Sequence, residues 1–445
     1  LSNIRESTYT IDIKTLLLLA GQSHRFWPLS EKPLFPIAGK TLLEHIVGRL
    51  HEAGCTDILF IGSPHNLDEA KGIFPQGTMV EQEHLEQGMR GALLSALPHT
   101  GTESVLVVGA NDVIDMEAYQ DTIRIGQEAD GAILAQRVQT YFPGGYLSTE
   151  GDRVTGIVEK PGAGNEPSDL VNIVCHFHKN GATLLQELQA IDDTTDDGYG
   201  YEKALAALFT KQIYKAVPFE GTWQAVKYPW HLLHLLPILM EQIDGQTIHD
   251  SAKIHTTAVI EGPVIIEEGV RILPHACIMG PVFIGKGSII GNNALVRGSS
   301  VGEHCVIGYN TEVKTSILCN HVWTHSTYVG DSVIGENVSF GAGTVTGNLR
   351  LDEGEIHSAH KDDKIATGLT KFGTVIGADC RIGIHVGISP GVKIGRGTFI
   401  NSGTQIETDV PEGSFVKMKD GVMQIRQNST KSPNAAEREQ YKRHV

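Results

Sequence analysis

The sequence has no closely spaced cysteine pair, no apolar run long enough to span a bilayer and no surplus of positive charge. Each absence excludes something. The six cysteines (Cys55, Cys175, Cys277, Cys305, Cys319 and Cys380) are scattered without CxxC spacing, which argues for reduced thiols and against both a zinc site and a disulfide framework. The longest apolar run near the start, Leu16 to Ala20, is far too short to cross a membrane, and no basic, small-residue-terminated leader pattern precedes it. A cytoplasmic protein with no membrane association is therefore expected. A formal net charge of -16 disfavours nonspecific nucleic-acid binding, because phosphate backbones are held by massed cations. Any anionic substrate must be met by a few local cations. The stretch "LLLLAGQSHRFWPLSEKPLFPIAGK" (Leu16 to Lys40) lacks the GxxxxGK[ST] pattern, and Ser23 stands where GxGxxG requires its second glycine.

What is present divides into two grammars across 445 residues, a length that suits two to three domains. From Ile13 to about Ile243, strand-like and helix-like segments alternate. "IKTLLLLA" reads as a buried parallel strand, "TLLEHIVGRLHEAG" as an amphipathic helix ending on Gly54, and "TDILFIG" as the next strand. This predicts a doubly wound, Rossmann-like α/β domain over residues 13–245, with ligands beyond the carboxyl ends of its strands. After about Gln246 an aliphatic or aromatic residue precedes Gly285, Gly291, Gly302, Gly308, Gly335, Gly341, Gly377, Gly383 and Gly395, several of them six apart. That is the hexapeptide grammar of a parallel β-helix, assigned here to residues 246–415, each repeat forming one flat side with the aliphatic residue inward and the glycine allowing the corner. One polar interruption, Thr344 to Gly373, breaks the phase, and a loop that long on a compact coil is more often functional than idle. Residues 416–445 turn polar and charged and are read as a tail or a short terminal helix.

The opening stretch resembles the phosphate-binding loop of the sugar-1-phosphate nucleotidyltransferase family. It matches at Ala20, Gly21, Arg25, Pro28, Leu29, Lys32, Pro33, Leu34, Pro36, Gly39 and Lys40, and departs at Ser23 and in a shorter connection before Lys32. "EQGMRGALLSAL", "VLVVGANDVID" and "GGYL…VTGIVEKPG…PSDLVNIVCHF" extend the resemblance. It implies Arg25 and Lys32 as catalytic cations on the triphosphate and sugar phosphate, and Ala20, Gly21, Ser23, Gln82 and Gly88 around the nucleotide. It further implies Gly145, Glu159, Lys160 and Asn172 around the sugar, and Asp112 on Mg²⁺. Attack of a sugar phosphate on a nucleoside triphosphate brings two anions together, so cations and a metal must offset the repulsion while no side-chain nucleophile is required.

In the same family a segment like "TWQAVKYPWHLL" supplies a second metal ligand, but here Ala225 and Lys227 fill the candidate positions. A methyl group cannot bind Mg²⁺. Either Asp112 and substrate phosphates hold the metal alone, which is physically permissible, or Lys227 supplies charge in its place, or the site is inactive.

"ALVRGSSVGEHCVIGYNTEVK", "WTHSTYVGDSVIGENVSFGAGTVTGN" and "LTKFGTVIG" resemble the acetyltransferase half of the bifunctional N-acetylglucosamine-1-phosphate uridylyltransferase family, whose coil is left-handed and assembles as a homotrimer. The resemblance implies His325 as general base, with Arg297, Lys314, Tyr328, Asn348 and Lys371 binding a phosphorylated amino sugar, and acetyl-CoA as cosubstrate. Ser339 departs from the family's asparagine. An amine attacking a thioester must lose a proton, for which an imidazole is suited, and arginine and lysine suit a phosphate. Trp323, two residues before His325, reads as packing. The reading is bifunctional synthesis of a nucleotide sugar from UTP or another nucleoside triphosphate. Its rivals are a nucleotidyltransferase whose coil only assembles, and a non-catalytic regulatory or scaffolding subunit.

Overall fold

A computed structural model describes residues 13–19, 21, 23–192, 198–361 and 363–444; Ala20 lies outside them. The chain forms two compact units, one of Leu1–Gln22 with Leu42–Ala225, the other of Ser23–Thr41 with Val226–Val445.

The first unit is a nine-stranded sheet flanked by helices. Its strands are β1 (Lys14–Leu18), β2 (Asp57–Gly62), β3 (Thr78–Glu81), β4 (Val105–Gly109), β6 (Gly131–Arg137), β7 (Gly145–Glu150), β8 (Arg153–Glu159), β9 (Leu170–His178) and β10 (Tyr214–Phe219). Asp112–Ile114 (β5) pairs separately with Trp223–Ala225 (β11). The spatial order is β3-β2-β1-β4-β9-β6-β10-β8-β7. β1, β2, β3 and β4 run parallel, and the central residues of β1, β2 and β4 are apolar and buried on both faces, as helices on each side of a parallel sheet require. β9 enters antiparallel between β4 and β6, with a register shift between Asn172 and His176. Such a bulge re-aims the side chains around it. Helix Leu42–Glu52 buries Leu42, Leu43, Ile46, Val47 and Leu50, which follow the spacing read from the sequence.

The second unit is built on three parallel sheets of short strands wound as a left-handed β-helix, running from Gln246–Ile248 to Ser414–Lys419. Its core is a column of buried Val, Ile and Leu side chains, one layer per coil. The repeat glycines are needed for a reason the sequence reading did not give. A Cβ on Gly285 or Gly291 would lie 2.7 Å from the backbone of the next coil, so these glycines permit close stacking. The left-handed corner conformations fall on other residues, among them Asn293, His304, Asn310, His321 and Asp331 and a separate set of glycines such as Gly269, Gly287 and Gly343. Beyond the coil, Val422–Gln427 pairs antiparallel with Ser414–Lys419, and a short helix, Ala435–Glu439, follows a capping box at Asn434. The Arg438 guanidinium of that helix lies 4.4 Å from the centre of the Trp323 ring, which covers this tryptophan as packing. Among the described residues no helix is long and apolar enough to cross a membrane.

The signature loop, Ser23–Thr41, is part of this second unit. Its "PIAGK" end makes a hairpin in which Ile37 pairs with Lys40, and Ala38 and Gly39 both take positive φ, as a two-residue hairpin turn demands. The Ala38 N–H donates to Ser300 Oγ at 2.9 Å, and a Cβ at Gly39 would meet the Phe283 ring at 2.5 Å. The loop is thereby seated on the coil.

Candidate active sites

In the α/β unit the residues expected around a sugar converge at one corner. Glu159 pairs with Gly145 across β8 and β7, while Val171, the neighbour of Asn172, pairs with Tyr146 across β9 and β7. A side chain at Gly145 would come within 2.9 Å of Glu159 Oε2, so the glycine leaves room for that carboxylate. Lys160, held at φ 46°, pairs with Glu159 at 3.0 Å, and its ammonium lies 5.3 Å from the centre of the Tyr199 ring. Partial burial pulls the pKa of Lys160 down, but Glu159 and Tyr199 outweigh this and raise it.

Gln82 is buried at the end of β3, where its Nε2 donates to the carbonyls of His84 (2.9 Å) and Gly88 (2.8 Å). Those two bonds fix the turn that opens helix Gly88–Ala96, which starts on Gly88 at φ 56°. Its Oε1 is buried and has no partner among the described residues.

Asp112 opens β5, and Ala225 is its register partner on β11. The second metal position expected from sequence is therefore opposite Asp112 and carries a methyl. The sequence reading missed Trp223, whose indole N–H donates to Asp112 Oδ1 at 2.8 Å and so orients the carboxylate. No group of three or more His, Cys, Asp or Glu side chains suited to a metal occurs among the described residues.

Arg25 and Lys32 lie on the signature loop. Arg25 is exposed, and Lys32 donates to the Val226 carbonyl at 3.3 Å. Gly21 is exposed, while Ser23 Oγ is buried without a partner among the described residues. The long interruption read as functional folds into a hairpin, His357–His360 with Asp363–Ala366, close to this loop. Burial, then the charges of Lys361 and Arg25, lower the His360 pKa. Lys227 gives its backbone N–H to His231 Nδ1 at 3.2 Å.

On the coil, Arg297 and Lys314 are register partners on adjacent strands, and Lys314 in turn pairs with Gly330. A side chain at Gly330 would strike the Tyr328 hydroxyl, so this glycine accommodates the ring. Asp331, unremarked in the sequence reading, ties the group together. It takes an ion pair from Lys314 at 2.9 Å and a short hydrogen bond from the Asn348 amide, which also donates to the Tyr328 hydroxyl at 3.1 Å. Glu312, equally unremarked, accepts from Arg297 Nε at 3.0 Å. Burial raises the Tyr328 pKa, partly opposed by the charge of Lys314. Lys371 is exposed beside Asn348, through the bridge between Leu349 and Lys371.

His325 sits at the corner after Trp323–Thr324, exposed, and its imidazole has no partner among the described residues. Strand register stacks Ile290, Ile307 and Thr324 in one column, so the residues that follow, Gly291, Gly308 and His325, also stack. The next coils bring Gly341 and Gly383 to the same corner. An imidazole thus replaces glycine in one coil only of these five, a signal present in the sequence for the first four, where positions 291, 308, 325 and 341 follow at 17, 17 and 16 residues. Ser339, the family departure, is half-buried and pairs with Trp323 and Arg381.

A nucleotidyltransferase sheet and a hexapeptide coil in one chain define the class. Residues 14–226 match the nucleotidyl transferase family, residues 243–349 the GMPPB C-terminal domain, and residues 373–408 the bacterial transferase hexapeptide repeats. A Sulfurisphaera tokodaii protein named bifunctional sugar-1-phosphate nucleotidylyltransferase/acetyltransferase is 31% identical over 412 residues, covering 91% of this chain and 100% of that one. Proteins named bifunctional protein GlmU are similar too: one from Methanocaldococcus jannaschii is 29% identical and one from Methanococcus maripaludis 30%, each over 91% of this chain and 97% of its own length. The chain belongs to the family of bifunctional sugar-1-phosphate nucleotidylyltransferase/acetyltransferases.

Proposed function

We propose that the coil transfers an acetyl group from acetyl-CoA to glucosamine 1-phosphate, and that the α/β unit joins a sugar 1-phosphate to a nucleoside monophosphate from UTP or another triphosphate. The observation that carries the first half is His325, an exposed, unpartnered imidazole where neighbouring coils carry glycine. His325 takes the proton from the amine as its nitrogen attacks the thioester carbonyl; the C–N bond forms, the C–S bond breaks, and the sulfur leaves as a thiol after regaining a proton. Lys314, Arg297 and Lys371 meet the phosphate dianion, and Tyr328 and Asn348 orient the ring.

In the α/β unit an oxygen of the sugar phosphate attacks the α-phosphorus, and the bond to the β-phosphate breaks to release pyrophosphate. A reaction between two anions needs cations to offset their repulsion, the role that the resemblance gives to Arg25 and Lys32. Gln82 acts on the nucleotide side by holding the turn before helix Gly88–Ala96 through its bonds to the carbonyls of His84 and Gly88. The donor set at Asp112 fits Mg²⁺ bound through one carboxylate and substrate phosphates, since Trp223 already orients that carboxylate and Ala225 offers no oxygen. Bound there, Mg²⁺ supplies charge neutralisation at the phosphates. We further propose that the coil assembles as a homotrimer.

Two assays test this. The full chain with acetyl-CoA and glucosamine 1-phosphate is expected to release free thiol, and with Mg²⁺, UTP and a hexosamine 1-phosphate to release pyrophosphate. Pyrophosphate without thiol would leave the coil as an assembly device, and neither product from any nucleotide would leave a regulatory subunit.

A further inference from the structure

Behind Asn172 lies a continuous buried chain of neutral polar side chains that neither reaction uses. Asn172 Oδ1 is 2.7 Å from His176 Nε2, and His176 Nδ1 is 2.7 Å from the Tyr201 hydroxyl. The same hydroxyl is 3.1 Å from His178 Nε2, and His178 Nδ1 is 2.8 Å from the Tyr214 hydroxyl. His176, His178, Tyr201 and Tyr214 are each at most 1% exposed. Burial pushes both imidazoles down to about 3, against a nearby Ile173 carbonyl that favours protonation of His176. Both rings are therefore neutral at physiological pH, each with one donor and one acceptor nitrogen.

With one proton per group the chain can run in only two directions. If Tyr214 donates to His178 Nδ1, then His178 Nε2 donates to Tyr201, Tyr201 donates to His176 Nδ1, and His176 Nε2 donates to Asn172 Oδ1. Every proton then has an acceptor. In the reverse direction Tyr214 accepts, and its own proton is left in the core with no partner among the described residues, at a cost of about 1–3 kcal/mol. The reverse direction also needs the Asn172 amide turned end for end. Half-buried Asn172 keeps its amide nitrogen unpartnered among the described residues, beside the Glu159 and Gly145 corner.

We propose that Tyr214, His178, Tyr201 and His176 are positioning residues that lock Asn172 with its N–H₂ toward the sugar, so that the pocket selects a sugar bearing a hydrogen-bond acceptor, a hydroxyl or acyl oxygen, at that point. The proposal rests on the sugar-pocket reading given above. A donor-only substituent such as an ammonium group faces another donor there and is rejected. Asn172 and His176 are four apart on β9, a spacing that puts strand residues on one face.

The test uses the full chain labelled with ¹⁵N-histidine, with His176→Gln and His178→Gln assigning the signals. Both rings are expected as non-titrating Nε2–H tautomers from pH 5 to 8. An Nδ1–H tautomer or a protonated ring at neutral pH would overturn the relay. Tyr201→Phe removes the central hydroxyl, so His176 Nδ1 loses the donor that fixes it as an acceptor and the relay no longer favours one orientation of the Asn172 amide; KM for the sugar 1-phosphate is expected to rise by about tenfold, with KM for the nucleotide unchanged. An unchanged sugar KM would overturn the positioning role. Asn172→Asp keeps the oxygen that accepts from His176 but turns the pocket-facing donor into an acceptor, so sugar KM should rise more than tenfold with the tautomers intact. Correct tautomers with unchanged sugar KM in Asn172→Asp would instead sink the sugar-pocket reading and leave the relay standing.

Discussion

The two proposed sugar sites are organised by opposite means. In the α/β unit Asn172 is backed by four buried, neutral side chains, each donating one proton to the next. On the coil, orientation comes from charge: Lys314 and Asn348 are held by the buried Asp331, and Arg297 by Glu312 closer to solvent. A neutral buried relay fixes which end of an amide faces the ligand and is indifferent to salt, but it resists protonation only at the expense of stability in acid. Ion pairs keep cations positioned for a phosphate. The pocket proposed to tell sugars apart uses the first device, and the pocket proposed to hold a phosphorylated amine uses the second.

The contrast can be broken most strongly at Lys314. Lys314→Ala leaves Asp331 without its ammonium partner beside the bound phosphate, so KM for glucosamine 1-phosphate in thiol release should rise by about 10- to 100-fold. Pyrophosphate release should be unaffected, and steady-state kinetics of both reactions check this. Acid tests the other side. His176 and His178 have folded pKa values depressed to about 3 against about 6.5 in the unfolded chain, so the unfolded state binds more protons between those values. Their stabilisation is intact above pH 6.5 and is lost as pH falls, by about 2 kcal/mol per ring from pH 7 to pH 5. Denaturant melts of the α/β unit's signal should show it, with a shallower slope in His178→Gln.

A smaller effect is expected at the metal. Trp223→Phe removes the indole that orients Asp112, and the Mg²⁺ concentration for half-maximal pyrophosphate release should rise about tenfold, as for other partners outside a metal's own ligands. The smallest concerns salt. Raising ionic strength from about 0.1 to 1 M shortens the screening length from about 10 to 3 Å. It should weaken sugar phosphate binding on the coil a few-fold, while the discrimination set by Asn172 stays constant when sugars are compared at each salt concentration.

Much of the architecture was legible because it is periodic. The glycines from Gly285 to Gly395 declared the coil, and apolar runs such as Leu16–Leu19 declared the parallel core. His325 was legible through its motif, and would have been legible without it, as the break in a column of glycines. The partners were not. Asp331 and Glu312 touch Lys314 and Arg297 because coils stack, and Trp223 reaches Asp112 because two short strands pair far apart in the chain. His176 and His178 look like an ordinary strand alternation, since nothing local reveals that Tyr201 and Tyr214 close the relay. Nor could spacing show that the signature loop is seated on the coil at Phe283 and Ser300, a pairing set by tertiary packing alone.

The most direct measurement pairs two variants with two products. His325→Ala should lower thiol release by about 10²- to 10⁴-fold, the usual contribution of a general base, and leave pyrophosphate release intact. Asp112→Asn should do the reverse. If His325→Ala releases thiol at the unmodified rate, or if either substitution abolishes both products in a chain that remains folded, the assignment of two separate chemistries to these two places is wrong.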